Sequence, residues 1–195
     1  MTAMRTWPTA TPGSDPSLDA HSRRVYQYAV GLTSALGVCQ GSLIDAIAQA
    51  ALVHDIGKMA IPRHILDKRG SLTRDEFEQM KRHVDIGADM LKECSINRRV
   101  IPIVRSHHEN WDGTGYLRGL GGRRIPLGAR IVSVVDCFDA LTSDRPYRRR
   151  MPVAAALQIV QGRRGTMYDP SVVDAFVRFC DHITPLGDVD DFDRN

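Results

Sequence analysis

Apolar residues in this chain recur three and four positions apart, and strand-like alternation is scarce. That spacing admits helices and little else, because residues three and four apart share one helical face whereas a strand needs alternate positions. Val25, Ala29, Leu32 and Leu36 mark one such face, which Gly37 ends. Ile44, Ile47, Ala48, Ala51 and Leu52 mark a second helix, predicted to run into His54-Asp55 and to stop near Gly57. Thr73-Arg74-Asp75-Glu76 has the form of a capping box. It opens a predicted helix with Phe77, Met80, Val84, Gly87 and Leu91 on its apolar face and His83 beside them. Residues 97–108 read as a further helix, with Pro102 in its first turns, where a missing amide does little harm. Residues 110–124 hold five glycines and form a long loop. Pro126 then starts a helix through Ile131, Val132, Val135, Phe138 and Leu141, with Asp136 inside its apolar run. A basic loop over 143–150, a helix over 153–160 and a last helix capped by Asp169 and begun by Pro170 complete the chain. The fold class expected is all-α, a single domain of about seven helices over residues 17–186. Residues 1–16 read as a flexible leader and 187–195 as an acidic tail.

Composition narrows the function classes. With 195 residues, 43% of them hydrophobic and 25% charged, the chain suits one globular domain with a sizeable core. A net charge of +3 is too slight to argue for nucleic acid, so no DNA or RNA partner is expected. No apolar run approaches the ~20 residues that a membrane span needs, and the first residues lack the apolar core of a signal peptide. No membrane association and a cytoplasmic location are the expectations. Cys39, Cys94, Cys137 and Cys180 form no close pair and are expected to be small buried hydrophobes in a reducing compartment.

Chemistry is carried by histidine and aspartate. Five of the seven histidines (His21, His54, His83, His107 and His108) fall in segments predicted to be helical. Neutral imidazole with carboxylate, and no cysteine nearby, is a ligand set for zinc, iron, manganese or nickel. Asp55 and Asp136 lie in apolar helical surroundings, where a carboxylate needs a cation or strong donors. An ion pair with one of the arginines would satisfy either of them as well as a metal would. His107 and His108 point about 100° apart on a helix, and two such side chains can flank one cleft. His64 and His182 have no companion and read as ordinary surface or core residues. The pattern points to a metal-dependent phosphohydrolase.

The order His21, His54-Asp55 and Asp136 resembles the ligand order of the HD phosphohydrolase superfamily. His-Asp-Ile-Gly-Lys over 54–58, His83, the run 107–116 and Asp-Cys-Phe-Asp-Ala-Leu-Thr-Ser-Asp-Arg-Pro-Tyr-Arg over 136–148 resemble its HD-GYP branch, from about His21 to Tyr168. Members of that branch are all-helical, metal-dependent phosphodiesterases acting on the bacterial second messenger cyclic di-GMP. The resemblance implies two divalent metal ions (iron, manganese, nickel or zinc) bridged by Asp55. One would take His54, Asp136 and His21, the other His83, His107 and His108. A hydroxide bridging the metals would attack the phosphodiester. Lys58, one turn after Asp55, would offset charge building on the phosphate, unless it is simply a solvated surface lysine. Arg145 would hold substrate phosphate, and Tyr116 would meet a guanine base or shape the mouth of the cleft. Asp112 reads as a tie for the loop through turn hydrogen bonds.

Two positions depart from the branch. Leu117 follows Gly115-Tyr116 where the branch has proline, which bears on the loop and on substrate contacts rather than on metal ligation. Ser17 stands where members with three metals carry a glutamate four residues before the first histidine, so two metals and pGpG as main product are expected. Other readings keep the fold and change the role: another cyclic or monomeric nucleotide as substrate, or a module that binds cyclic di-GMP or a partner protein without turnover. Members of the branch usually carry a sensor or receiver domain upstream. The expectation for this chain is a catalytic unit controlled by such a domain or by a signalling partner.

Overall fold

A computed structural model describes residues 16–144 and 149–183, with the side chains of 20–144 and 149–181. The leader and tail expected at the two ends lie outside the described residues, except that α1 (Pro16–Ala35) begins at Pro16, one residue inside the expected leader. Val25, Ala29 and Leu32 on its inner face are fully buried. Its end is a Schellman closure at Gly37, whose φ of 70 suits a residue without Cβ. Gly37 N–H donates to Ser34 and Val38 N–H to Thr33.

The chain continues through α2 (Gly41–Val53), a 3-10 turn (Ile56–Ala60), α3 (Arg63–Leu66), α4 (Arg74–Lys81), α5 (His83–Lys92), α6 (Val100–Ser106), α7 (Leu127–Thr142), α8 (Val153–Gly162) and α9 (Pro170–Ile183). The described residues are all helix and loop, as the apolar spacing requires, apart from one isolated bridge between Arg164 and Tyr168. Helix α1 packs on α2, α7 and α9, while α5 packs on α6 and on the 56–60 turn. Ile47, Val104, Ile131, Val135 and Phe176 lie in the resulting core. The capping box at Thr73 forms as expected: Glu76 N–H donates to Thr73 Oγ1 at 3.3 Å and Thr73 N–H to Glu76 Oε2 at 2.7 Å. Asp169 likewise accepts the Ser171 N–H at 2.8 Å and caps α9.

Four expectations need correction. The short α3 carries too few apolar residues to announce itself, and the helix predicted from Thr73 to Leu91 is two. It breaks at Arg82, whose N–H makes a tighter bond to Gln79 O at 3.1 Å, while the His83 ring donates to Met80 O. Second, α2 stops at Val53, and the chain tightens to 3-10 geometry after Asp55 instead of staying α-helical to Gly57. Third, α6 is shorter than 97–108 and leaves both His107 and His108 beyond its last residue. Fourth, Cys39 and Cys94 are exposed and Cys137 half-buried, so only Cys180 is the buried thiol expected of all four. Cys39 and Cys94 sit in connections, where local apolar context says nothing of depth.

Among the described residues, no helix is long and apolar enough to cross a membrane.

Candidate metal centre

Three histidines reach the centre by one local device. The last four carbonyls of an α-helix have no helical donor. His54 follows α2, His83 follows the last turn of α4, and His107 follows α6. In each, ring Nδ1 lies on the carbonyl three residues back: Ala51 at 2.9 Å, Met80 at 2.8 Å and Val104 at 2.7 Å. A carbonyl can only accept, so Nδ1 donates and Nε2 is the ring atom turned toward the shared space. All three Nε2 atoms are buried and make no hydrogen bond, as is Asp55 Oδ1. Unsatisfied polar atoms at such depth are costly. Several converging on one space could share a metal ion as the missing partner.

Asp55 joins the set. Its Oδ1 lies 3.3 Å from His83 Nε2 and 4.0 Å from His107 Nε2. Its Oδ2 lies 3.5 Å from His54 Nε2 and 2.6 Å from Lys58 Nζ. Burial opposes the charge, yet Lys58 and the surrounding imidazoles hold the carboxyl well below the usual carboxylate range. His21, from the middle of α1, lies 3.3 Å from Asp136 Oδ1 through Nε2, and His54 Nε2 stands 3.9 Å from the same oxygen. The ligand atoms fall into two groups, each within 4.8 Å: His21, His54 and Asp55, and Asp55, His83, His107 and His108. Asp55 is common to both. The donors are imidazole nitrogen and carboxylate oxygen, which fit borderline divalent cations.

Protonation follows position. Burial, helped by neighbouring imidazoles, lowers His107 well below its ordinary value, and burial takes His108 down to about 4. Both are neutral and available as ligands. His21 is the opposite case: burial lowers it, but hydrogen bonds to Asp136 and Asp139 outweigh burial and push it up to about 9. Asp136 is held below the usual range, against its own burial, chiefly by His21.

Two carboxylates received no role from the sequence. Asp139, one turn after Asp136, is fully buried and accepts His21 Nδ1 at 2.7 Å and Arg24 Nε at 2.5 Å. It fixes the His21 ring, and its spacing of three from Asp136 within α7 was the available signal. Glu109 is buried beside the histidine pair and accepts the N–H groups of Arg118 at 2.7 Å and Leu120 at 3.1 Å. It pins the glycine loop, and Asp112 closes a turn of that loop by accepting Thr114 N–H at 2.9 Å. Gly115 lies so close to Glu109 and Asn110 that a Cβ there would meet their backbone. The loop thereby places the Tyr116 ring 5.0 Å from that of His108.

A cavity of about 400 Å³ opens beside the centre, lined among others by Phe77, His108, Tyr116, Asp136, Arg163 and Tyr168. Of the residues expected at the site, His21, His54, Asp55, Lys58, His83, His107, His108, Tyr116 and Asp136 are brought together here. Arg145 lies outside the described residues, and Ser17 stands on α1 one turn before His21.

A family model for the HD domain matches residues 13–172. A cyclic di-GMP phosphodiesterase of Thermotoga maritima is 40% identical over 174 residues, 88% of this chain and 47% of the relative. The cyclic di-GMP phosphodiesterase response regulator RpfG of Xanthomonas campestris is 43% identical over 167 residues, 84% of this chain and 44% of the relative. The chain therefore spans a little under half the length of these curated relatives. Among solved structures, a cyclic GMP-AMP-specific phosphodiesterase of Vibrio cholerae superposes with a TM-score of 0.69 at 18% identity, covering 89% of this chain and 47% of that one.

Proposed function

The chain belongs to the HD domain family, and from that premise we propose that it hydrolyses a phosphodiester bond of cyclic di-GMP with two divalent metal ions bound. The observation that carries this reading is the pair of ligand groups sharing Asp55, with unpartnered Nε2 atoms converging beside an open cavity. His21, His54 and Asp136 would hold one ion, His83, His107 and His108 the other, and Asp55 both. Iron, manganese, nickel and zinc all suit these donors. Two such cations supply a nucleophile from water near neutral pH and clamp phosphate oxygens.

The remaining steps belong to the chain itself. Asp55 stays charged and would serve as the carboxylate shared between the two ions. Lys58, already 2.6 Å from Asp55 Oδ2, is placed to swing its charge onto the phosphate as negative charge builds there. Tyr116, whose hydroxyl burial keeps protonated, offers a ring face to a guanine base and a donor at the cavity mouth. Arg145 remains in the proposal as a phosphate ligand by its motif alone. Leu117 is exposed at the rim of the same loop, where it bears on substrate fit and leaves the ligands untouched. With Ser17 rather than a carboxylate one turn before His21, two ions and pGpG as main product follow. The four cysteines are free, in keeping with a reducing cytoplasm, and control by a sensor or receiver partner belongs to the same reading.

The test is elemental analysis of the purified chain together with turnover of cyclic di-GMP after loading with manganese or, anaerobically, ferrous iron. About two metals per chain and release of pGpG are expected. Metal without turnover of cyclic di-GMP, but with cleavage of another cyclic dinucleotide, would move the substrate. Metal with binding and no cleavage would make the chain a binding module.

A further inference from the structure

The phosphodiesterase reading leaves one cation of the cavity without a task. We propose that Arg163 binds the second, uncleaved phosphate of a cyclic dinucleotide whose first phosphate lies at the metal centre; the inference rests on the function proposed above.

Arg163 is half-buried and lines the same cavity as Asp136 and Tyr116. Its Nη1 has two neutral neighbours at 3.5 Å, Cys137 Sγ and the Tyr168 hydroxyl. Among the described residues no carboxylate lies within ion-pair distance of it, in contrast to Arg24, Arg105, Arg130 and Arg164. A guanidinium drawn partly out of water and left with neutral partners is poised for an anion. Its planar fork matches phosphate in particular. A cyclic dinucleotide carries two phosphates, and the metal centre accounts for one.

The backbone at Arg163 is anchored on both sides. Arg163 caps α8, its N–H donating to Val160 O at 3.2 Å. Its carbonyl accepts Thr166 Oγ1 at 3.0 Å and the N–H groups of Met167 and Tyr168 at 3.1 Å. The segment that follows is joined to the glycine loop through Trp111 N–H to Met167 O at 3.0 Å and Asp112 N–H to Thr166 O at 2.9 Å. The backbone segments that carry Arg163 and Tyr116 are therefore hydrogen-bonded into one floor beneath the cavity.

The experiment compares wild type, Arg163→Ala and Arg163→Lys on two diesters: cyclic di-GMP, with two phosphates, and bis(p-nitrophenyl) phosphate, with one. For Arg163→Ala, KM for cyclic di-GMP should rise roughly tenfold or more with little change in kcat, since a charged hydrogen bond is lost. The preference for cyclic di-GMP over the single-phosphate diester, as a ratio of kcat/KM, should fall by the same factor, and Arg163→Lys should recover part of it. Metal content and helical circular dichroism report on the fold in parallel. An unchanged KM, or equal losses on both diesters, would overturn the assignment and leave Arg163 as a cap for α8. If wild type binds cyclic di-GMP without cleaving it, the proposed function fails, and the same comparison is read from calorimetric Kd values. A wild type that neither binds nor cleaves it overturns both.

Discussion

Asp139 Oδ2 lies 2.7 Å from His21 Nδ1, although 118 positions of sequence separate the two residues. The contact ties the first helix to the seventh at the edge of the metal centre and fixes which nitrogen of His21 faces Asp136. A carboxylate holding the far nitrogen of a ligand histidine sets its tautomer and basicity. Asp139→Asn should therefore weaken metal binding roughly tenfold to a hundredfold while the helical fold persists. Chelator competition followed by circular dichroism would show this, and unchanged affinity would mean that packing alone orients His21.

Asp55 is the carboxylate common to both ligand groups. Asp55→Ala should reduce metal content from about two ions per chain to well under one and abolish turnover. The helical content should remain, because α2 ends before this residue. Full turnover in this variant would contradict a centre built on a shared carboxylate.

Lys58 Nζ sits 2.6 Å from Asp55 Oδ2 without belonging to either ligand group. Lys58→Ala should lower kcat on the order of a hundredfold with metal retained, as expected when charge stabilisation of the transition state is removed. A loss of metal instead would make Lys58 a support for Asp55.

Gly57 stands where a Cβ would come within 1.9 Å of His83 O and 2.6 Å of Gly87 N. Gly57→Ala must push the 3-10 turn away from α5, and with it Asp55 from His83. A stability loss of about 1–3 kcal/mol is expected, as for other forced overpacking, together with reduced metal content. Gly41, whose Cβ would meet nothing within 4 Å, provides the control substitution to alanine. Equal denaturation midpoints for the two variants would refute the close approach.

His21 gives the centre its pH dependence. Raised to about 9 between Asp136 and Asp139, it carries a proton at neutral pH in the metal-free chain, and an incoming cation must displace that proton. His107 and His108 are already neutral there. Apparent metal affinity should climb about tenfold per pH unit above neutrality and level off once His21 is deprotonated. The sign is opposite for the metal-free fold. The His21 pairing stabilises it fully below the ordinary value of 6.5, and that contribution is lost as pH rises through about 9. Chelator competition across this range measures the first effect and thermal unfolding of the metal-free chain the second. A flat affinity profile would place the displaced proton elsewhere.

Most of the helices, the capping box at Thr73 and the closure at Gly37 were legible in the sequence, as was the order of the candidate ligand residues. They depend on residues within a few positions of one another, where spacing, caps and glycine act directly. The break at Arg82 was not legible, because the apolar stripe runs through it, whereas the contacts made there, Gly57 against His83 and the His83 ring on the Met80 carbonyl, are set by the fold. Nor could periodicity show that His54, His83 and His107 each stand at a helix end and aim one bare nitrogen at a shared space. The roles of Asp139, Glu109 and Arg163 are further out of reach, since each acts through a partner set by packing. What the sequence by itself determined was the helical class, the candidate ligand types and their order along the chain, all of them local properties. Only the tertiary structure decided which of those atoms meet, because that depends on how α1, α2, α5, α6 and α7 bury their apolar faces against one another, over separations that local spacing does not encode.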